Sequence, residues 1–261
     1  MTIYEDLAGK VALITGGAGG LGAAAAKAFL EQGCKVALVD IAANPLTEIA
    51  ARLNPPEGQL VTITADISQE EDVKAYVAAT LQAFGTIDIF FNNAGIEGKV
   101  APIVDQNMAD VDRVFAINIR GTYMGLKYVL PVMYAKKAGA VINTSSIGGL
   151  TAGPAGGVTP YVTSKFAITG LTRLAASEAA AYNVRINSVH PSPVNTQMMR
   201  RLEEGFAPGH GEDARVGIAS GIPMGRYAEA EDVARAVVFL ASEASGFITG
   251  DQLRIDGGQL D

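Results

Sequence analysis

The chain predicts an α/β fold: a parallel, doubly wound sheet with helices packed on both faces. Three observations carry the prediction. Short apolar runs alternate with helical patterns from end to end. Most of those runs lack polar alternation, as strands covered on both faces should. A glycine cluster, Thr15-Gly16-Gly17-Ala18-Gly19-Gly20-Leu21-Gly22, directly follows the first run. The size agrees, since 261 residues with 49% hydrophobic and 18% charged suit one large domain over residues 1–261.

In chain order, the apolar runs at 11–15, 35–40, 60–64, 87–91, 140–144, 184–189 and 251–255 read as seven strands. Helical patterns fall between them at 21–32, 45–53, 69–83, 108–136, 160–182 and 229–241. This alternation implies parallel pairing through right-handed crossovers. Ser68 followed by Glu71 predicts a capping box, with Glu70 and Asp72 suited to the first helical turn. Pro131 is expected to kink or divide the long 108–136 pattern. Residues 195–221 stand apart, with Gly205, Pro208, Gly209, Gly211, Gly217 and Gly221 set among charges. That stretch is too long for an ordinary connection and predicts a mobile substrate lid with short helices rather than a domain boundary.

Composition excludes several function classes. The formal net charge is -7 and no basic stripe is visible, which argues against nucleic acid as a partner. No apolar run approaches the ~20 residues of a membrane span. Residues 1–10 are polar and acidic without an apolar signal core, so a cytoplasmic location is expected. The single cysteine, Cys34, rules out an intrachain disulfide and reads as a small buried apolar residue. His190 and His210, the only histidines, lie far apart without an acid cluster and give no metal signature. His190 is read as structural and His210 as solvated.

The glycine cluster is the first chemical signal. A strand ends, the chain turns, and a helix begins. Gly16, Gly20 and Gly22 let the backbone turn tightly and approach a ligand, with Leu21 between them. Amides at the helix start can then donate to a pyrophosphate. Asp40 ends the second strand, 18 residues after Gly22. A carboxylate there accepts both hydroxyls of an adenosine ribose and repels a 2′-phosphate. Ile41 follows it and Gly17, Ala18 and Gly19 bring no cation, so NAD is predicted over NADP. Asp66 and Ile67, after the third strand, are candidates to bound an adenine pocket. Asn93, Ala94 and Gly95, after the fourth, let the chain pass close to a cofactor ribose. For Asn92 a bracing role is preferred.

The second signal is Tyr161 and Lys165. A spacing of four in a helix over 160–182 puts the phenol and the ammonium on one face. A nearby cation favours phenolate, so this tyrosine is expected to exchange a proton near neutral pH. A free phenol titrates near 10, so bringing it to about 7 needs roughly 4 kcal/mol, which calls for a dry site beside a cationic cofactor ring.

Together these motifs resemble the short-chain dehydrogenase/reductase family over roughly residues 7 to 259. Thr15-Gly16-x-x-x-Gly20-x-Gly22 matches its cofactor loop, and Asn92-Asn93-Ala94-Gly95 its Asn-Asn-Ala-Gly segment. Asn118, Ser146, Tyr161 and Lys165 match its catalytic tetrad. Pro191 to Thr196, with Val194, resembles the stretch that holds the nicotinamide amide, and Asp256-Gly257-Gly258 matches its C-terminal turn. The resemblance implies a Rossmann-type sheet in the order 3-2-1-4-5-6-7 with three helices on each face. It implies NAD or NADP as hydride carrier and a homotetramer that uses the helices near 108–136 and 160–182. It also implies reversible oxidation of a secondary alcohol. Tyr161 would move the hydroxyl proton, and Lys165 would lower the phenol pKa and hold the nicotinamide ribose. Ser146 would donate to the substrate oxygen, and the Asn118 carbonyl would hold a relay water.

Two departures stand out. Ser146 and Tyr161 are 15 residues apart where 13 is usual in the family, so 151–160 is expected to bulge outward and reshape one pocket wall. Ser192 follows Pro191 where glycine is usual. Met198 and Met199 are read as lining a pocket or packing under the lid, with equal weight. Tyr123, Tyr128 and Tyr134 are read as interface or core residues. The leading reading is an NAD-dependent dehydrogenase of a small apolar or cyclic secondary alcohol. The alternatives are a 3-oxoacyl-carrier-protein reductase and an idle NAD-binding sensor.

Overall fold

All seven expected strands form, and they join one sheet in the order β3-β2-β1-β4-β5-β6-β7, with every pairing parallel. The computed structural model describes residues 2–152 and 156–260. The strands are β1 (Val11–Thr15), β2 (Lys35–Asp40), β3 (Leu60–Thr64), β4 (Ile89–Asn92), β5 (Gly139–Thr144), β6 (Val184–Pro191) and β7 (Gln252–Ile255). The helices are α1 (Gly20–Glu31), α2 (Ala43–Leu53), α3 (Glu70–Phe84), α4 (Met108–Phe115), α5 (Thr122–Lys136), α6 (Thr159–Ala179), α7 (Gln197–Phe206), α8 (Gly211–Ser220) and α9 (Ala230–Ala241).

Strand alternation sorts the core into two layers. Ala12 and Ile14 of β1 pack in one cluster with residues of α1, α2 and α9. Leu13 packs in the other, with residues of α3, α5 and α6. Three helices therefore cover each face, and β1 reads as a continuous apolar run because both of its sides are dry. The order places β1 between β2 and β4, so the winding reverses there. The carboxyl ends of β1 and β4 flank the crevice that such a reversal opens, and ligands of doubly wound sheets bind at that point.

Three local expectations need correction or refinement. The capping box at Ser68 does not form: Gln69 is the N-cap of α3 and makes no side-chain cap. Asp66 wins instead, because its carboxylate accepts from the Ser68 N–H at 2.9 Å while Asp72 accepts from the Asp66 N–H at 2.8 Å. A reciprocal box does form at α9, between Glu229 and Asp232. Pro131 does not divide its helix, since α5 runs through it. Pro131 and Lys127, one turn earlier, are both exposed, so the carbonyl that loses its donor faces water. The interruption lies upstream, in a π-helical turn over Ala116–Gly121 that contains Asn118. Residues 153–155 of the enlarged 151–160 loop lie outside the described residues. Its far end is pinned rather than free, for Gly157 O accepts from the Ala101 N–H at 2.9 Å and from Gln106 Nε2 at 3.2 Å.

Cys34 is buried, and its thiol donates to Leu7 O at 3.2 Å. Burial first, then Asp88 and Asp6, push it up to about 12, which suits an inert core residue.

Candidate active site

The glycine loop is shaped by contacts that leave no room for side chains. Gly16 has φ +68, and a Cβ there would meet Ala94 Cα and Asn93 Nδ2 at 2.9 Å. A Cβ on Gly22 would run into the Gly16 carbonyl, and one on Gly20 would touch Thr196 Cγ2 at 3.0 Å. Gly17 also proves structural, since a Cβ would lie 2.5 Å from Leu38 Cγ. The sequence reading passed over Gly17 because its constraint comes from β2. Gly19 then caps α1 without a side-chain bond, so the first amides of α1 have no side-chain acceptor. That is the donor set a pyrophosphate needs.

Asp40 leans over this loop. Its Oδ2 accepts from the Ala18 N–H at 3.0 Å and its Oδ1 from the Ala42 N–H at 3.4 Å. Ile41 beside it is 64% exposed, and neither Ala18 nor Ala42 brings a positive charge. A carboxylate so placed could accept a ribose diol and would repel a 2′-phosphate. Ile67 is buried, and its Cδ1 would stand 2.8 Å from a Cβ on Gly121. The Asp66 carboxylate is partly occupied in its own turn.

The ends of β1, β4 and β5 are tied together by side chains. Thr15 Oγ1 accepts from the Asn93 N–H at 3.0 Å and the Ala94 N–H at 3.2 Å. Asn93 Nδ2 donates to Thr15 O at 3.0 Å, and Thr144 Oγ1 donates to Asn93 Oδ1 at 3.1 Å. Asn92 braces as expected, donating to Thr122 O and Asn143 Oδ1. Gly95 passes close to the catalytic candidates, where a Cβ would lie 3.2 Å from Asn118 Oδ1 and 3.6 Å from Lys165 Nζ.

Asn118, Ser146, Tyr161 and Lys165 are connected through shared neighbours. The fully buried Asn118 amide accepts from the Ile96 N–H at 2.8 Å and donates to Ile96 O at 2.9 Å and to Ser164 Oγ at 3.0 Å. Ser164 in turn donates to the Tyr161 carbonyl at 2.6 Å. Lys165 Nζ donates to Thr144 O at 2.9 Å and lies 5.3 Å from the Tyr161 ring centroid. Ser145 and Ser146 diverge as strand alternation requires. Ser145 Oγ donates to Lys165 O at 2.9 Å and is buried. Ser146 Oγ accepts from the Gly148 N–H at 3.1 Å and hydrogen-bonds the Tyr161 phenol. Its only hydrogen is thus free to donate toward the phenol oxygen.

The electrostatics differ from the expectation that Lys165 draws the phenol down. Burial dominates and pushes Tyr161 up to about 12; the Ser146 hydrogen bond opposes this, and Glu97 adds to it. Burial likewise pushes Lys165 down to about 8. A dry site penalises whichever form is charged, so the lysine alone does not acidify the tyrosine.

Other residues escaped the sequence reading. Glu97, buried after β4, pairs with Arg201 of α7, which joins the 195–221 stretch to the site. Val100 meets the same helix, since a Cβ on Gly205 would lie 2.6 Å from its Cγ2. Met199 is buried with Ile222 and Tyr227, which favours packing over pocket lining for it. Pro191 and Ser192 continue from β6, and the Ser192 N–H donates to Ile255 O at 3.1 Å. Val194 is buried and bridges to Ala228, and Thr196 caps α7 by accepting from the Met199 N–H at 3.4 Å. No group of three or more His, Cys, Asp or Glu that could hold a metal is found among the described residues.

Sheet order, glycine loop and tyrosine–lysine helix together define a class, the Rossmann-type oxidoreductases. Comparison with known proteins narrows it. A family model described as enoyl-(acyl carrier protein) reductase matches residues 16–259. Levodione reductase of Leifsonia aquatica is 38% identical over 252 residues, covering 96% of this chain and 94% of the relative. A crystal structure of levodione reductase superposes with a TM-score of 0.93 at 37% identity, covering 99% of this chain and 98% of that one. A 2,5-dichloro-2,5-cyclohexadiene-1,4-diol dehydrogenase of Sphingobium indicum is 35% identical over 255 residues, covering 97% of this chain and 98% of the relative. A crystal structure of NAD+-bound xylitol dehydrogenase matches with a TM-score of 0.90 at 32% identity, covering 97% and 99%. The chain belongs to the short-chain dehydrogenase/reductase family.

Proposed function

We propose that this protein is an NAD-dependent oxidoreductase that interconverts a small cyclic secondary alcohol and its ketone. The observation that carries the reading is the Ser146–Tyr161 hydrogen bond, standing beside Lys165 at the carboxyl edge of the sheet. The glycine loop, Asp40 and the Asn93–Gly95 segment fit NAD, which when bound supplies the hydride acceptor and a positively charged ring. Xylitol dehydrogenase binds NAD+, which agrees with that assignment. The preference for a ring substrate draws on the cyclohexadiene-diol dehydrogenase among the relatives.

In this reading Tyr161 takes the hydroxyl proton during oxidation and returns it during reduction. Ser146 donates to the substrate oxygen and steadies charge as it develops. Lys165 holds the cofactor ribose, and Asn118 fixes the loop after β4 while its carbonyl serves a proton relay. Because burial raises the phenol, acidification near neutral pH needs the cofactor's positive ring as well as the lysine. Leu21, Ile41, Asp66, Ile67, Pro191, Val194 and Thr196 line the cofactor cleft.

The chain acts as one domain, with 195–221 as a substrate lid tied down by the Glu97–Arg201 pair. A homotetramer built on α5 and α6 is supported by the exposure of Tyr123, Phe166 and Leu174 on those helices. A cytoplasmic site of action completes the reading, and no helix of the described residues is long and apolar enough to cross a membrane.

The test is NADH formation against a panel of cyclic, aryl and aliphatic secondary alcohols, with NAD and NADP compared. Turnover of cyclic alcohols with NAD is expected. Tight NADH binding without turnover of any alcohol would favour an idle sensor, and a tenfold preference for NADP would overturn the cofactor assignment.

A further inference from the structure

His190 is fully buried at the end of β6, outside the Asn118, Ser146, Tyr161 and Lys165 set. Its Nδ1 stands 2.8 Å from the Ser146 carbonyl and its Nε2 stands 2.8 Å from Ser188 Oγ. A carbonyl only accepts, so Nδ1 carries the hydrogen. In the neutral ring Nε2 then accepts from the Ser188 hydroxyl, whose single hydrogen favours this 2.8 Å contact over the Asp251 carbonyl at 3.3 Å, and one tautomer satisfies both ring contacts. The Ser146 carbonyl also accepts from the Gly149 N–H at 2.8 Å, so both of its lone pairs are filled. Ser146 itself is extended, with φ -166 and ψ 162, and begins the short turn Ile147–Gly149. Its backbone is therefore gripped from β6 on one side and from its own turn on the other.

We infer that His190 is a positioning residue that fixes the backbone of Ser146 and through it the aim of the serine hydroxyl at Tyr161. The inference rests on the proposed roles of Ser146 and Tyr161. The charged groups that act on the ring are Lys165 from α6 and Asp251 before β7, while Arg254 pairs with His190 in backbone register on β7. Burial, foremost, holds its pKa below the usual histidine value, with Lys165 adding to the effect and the Ser146 bond and Asp251 opposing it. The ring thus stays neutral and keeps its acceptor for Ser188.

The geometry makes a distinction between replacements. An asparagine places a donor near the position of Nδ1, whereas leucine places none. The expected result for His190→Leu is a kcat fall on the order of 10- to 100-fold, the size that a small misplacement of a reacting group produces. His190→Asn should recover most of the loss, and NADH affinity should change little in either variant. His190→Leu combined with Ser146→Ala should be no slower than Ser146→Ala alone. A multiplied loss in the double variant, or a His190→Leu enzyme within twofold of wild type, would overturn the inference.

A second readout needs no turnover. With 13Cζ-labelled tyrosine, the Tyr161 resonance is assigned by its disappearance in Tyr161→Phe. It should move the same way in Ser146→Ala and His190→Leu, and stay near its wild-type position in His190→Asn. An unmoved resonance in a folded His190→Leu protein would refute the positioning role even if no alcohol is turned over. Absence of turnover with the expected resonance shifts would instead count against the proposed function alone.

Discussion

The Lys165 ammonium donates to the Thr144 carbonyl at 2.9 Å and lies 5.3 Å from the centre of the Tyr161 ring, so one cation links the phenol to the end of β5. Burial opposes the charged form of both partners. It holds the phenol up at about 12 and the ammonium down at about 8.

That burial makes stability depend on pH. Lys165 titrates near 10.5 when unfolded and near 8 when folded. Between these values the unfolded chain holds a proton that the folded chain has released, so stability rises with pH through this window. Relative to Lys165→Met, the wild type should gain stability between pH 8 and 10.5, up to roughly 3 kcal/mol. Urea unfolding of both proteins at the two ends of the window measures it. A difference that stays flat or falls with pH contradicts the burial argument.

Removing the phenol or the serine hydroxyl should leave the fold and cost rate. Tyr161→Phe and Ser146→Ala are each expected to lower kcat by about 10² to 10⁴, the usual worth of general acid–base work. Steady-state kinetics beside a melting curve separate the two effects. A Tyr161→Phe enzyme within threefold of wild type would remove the tyrosine from the mechanism.

Gly22→Ala tests the loop. The new methyl would collide with the Gly16 carbonyl, which is backbone and cannot swing aside. Overpacking of this kind costs typically 1–3 kcal/mol, and here it also displaces the amides that face a pyrophosphate. NADH titration followed by nicotinamide fluorescence should show affinity reduced tenfold or more. Unchanged affinity would mean that the loop does not hold the dinucleotide.

Asp40 braces the loop and is proposed to select the cofactor, and its replacement should show both. Asp40→Ala removes the acceptor for Ala18 and Ala42 as well as the carboxylate that repels a 2′-phosphate. The ratio of kcat/KM for NAD over NADP should fall at least tenfold, chiefly through loss of NAD efficiency. An unchanged ratio would assign the carboxylate to loop bracing alone.

Some features were legible because they are local. Strand and helix positions follow from apolar spacing within a few residues, and the strand order followed from the family resemblance. The glycine cluster advertises its turn, and a spacing of four from Tyr161 to Lys165 suffices to put them on one helix face. The misreadings were also local. At Ser68 a nearby aspartate offered a better partner, and at Pro131, on an exposed face, the helix continues undivided.

What the sequence by itself determined is therefore the list of groups: an α/β frame, a dinucleotide loop, an acid at the end of β2, and a serine, tyrosine and lysine in family order. Folding alone decided how they meet. Asn118 reaches Ile96 and Ser164, Lys165 reaches Thr144, His190 reaches Ser146, and Arg201 reaches Glu97 across 104 positions. No periodicity relates residues so far apart; they meet because the parallel order brings the carboxyl ends of β1, β4, β5 and β6 to one edge. Burial followed from the same closure, and it set the direction in which the phenol and the ammonium shift.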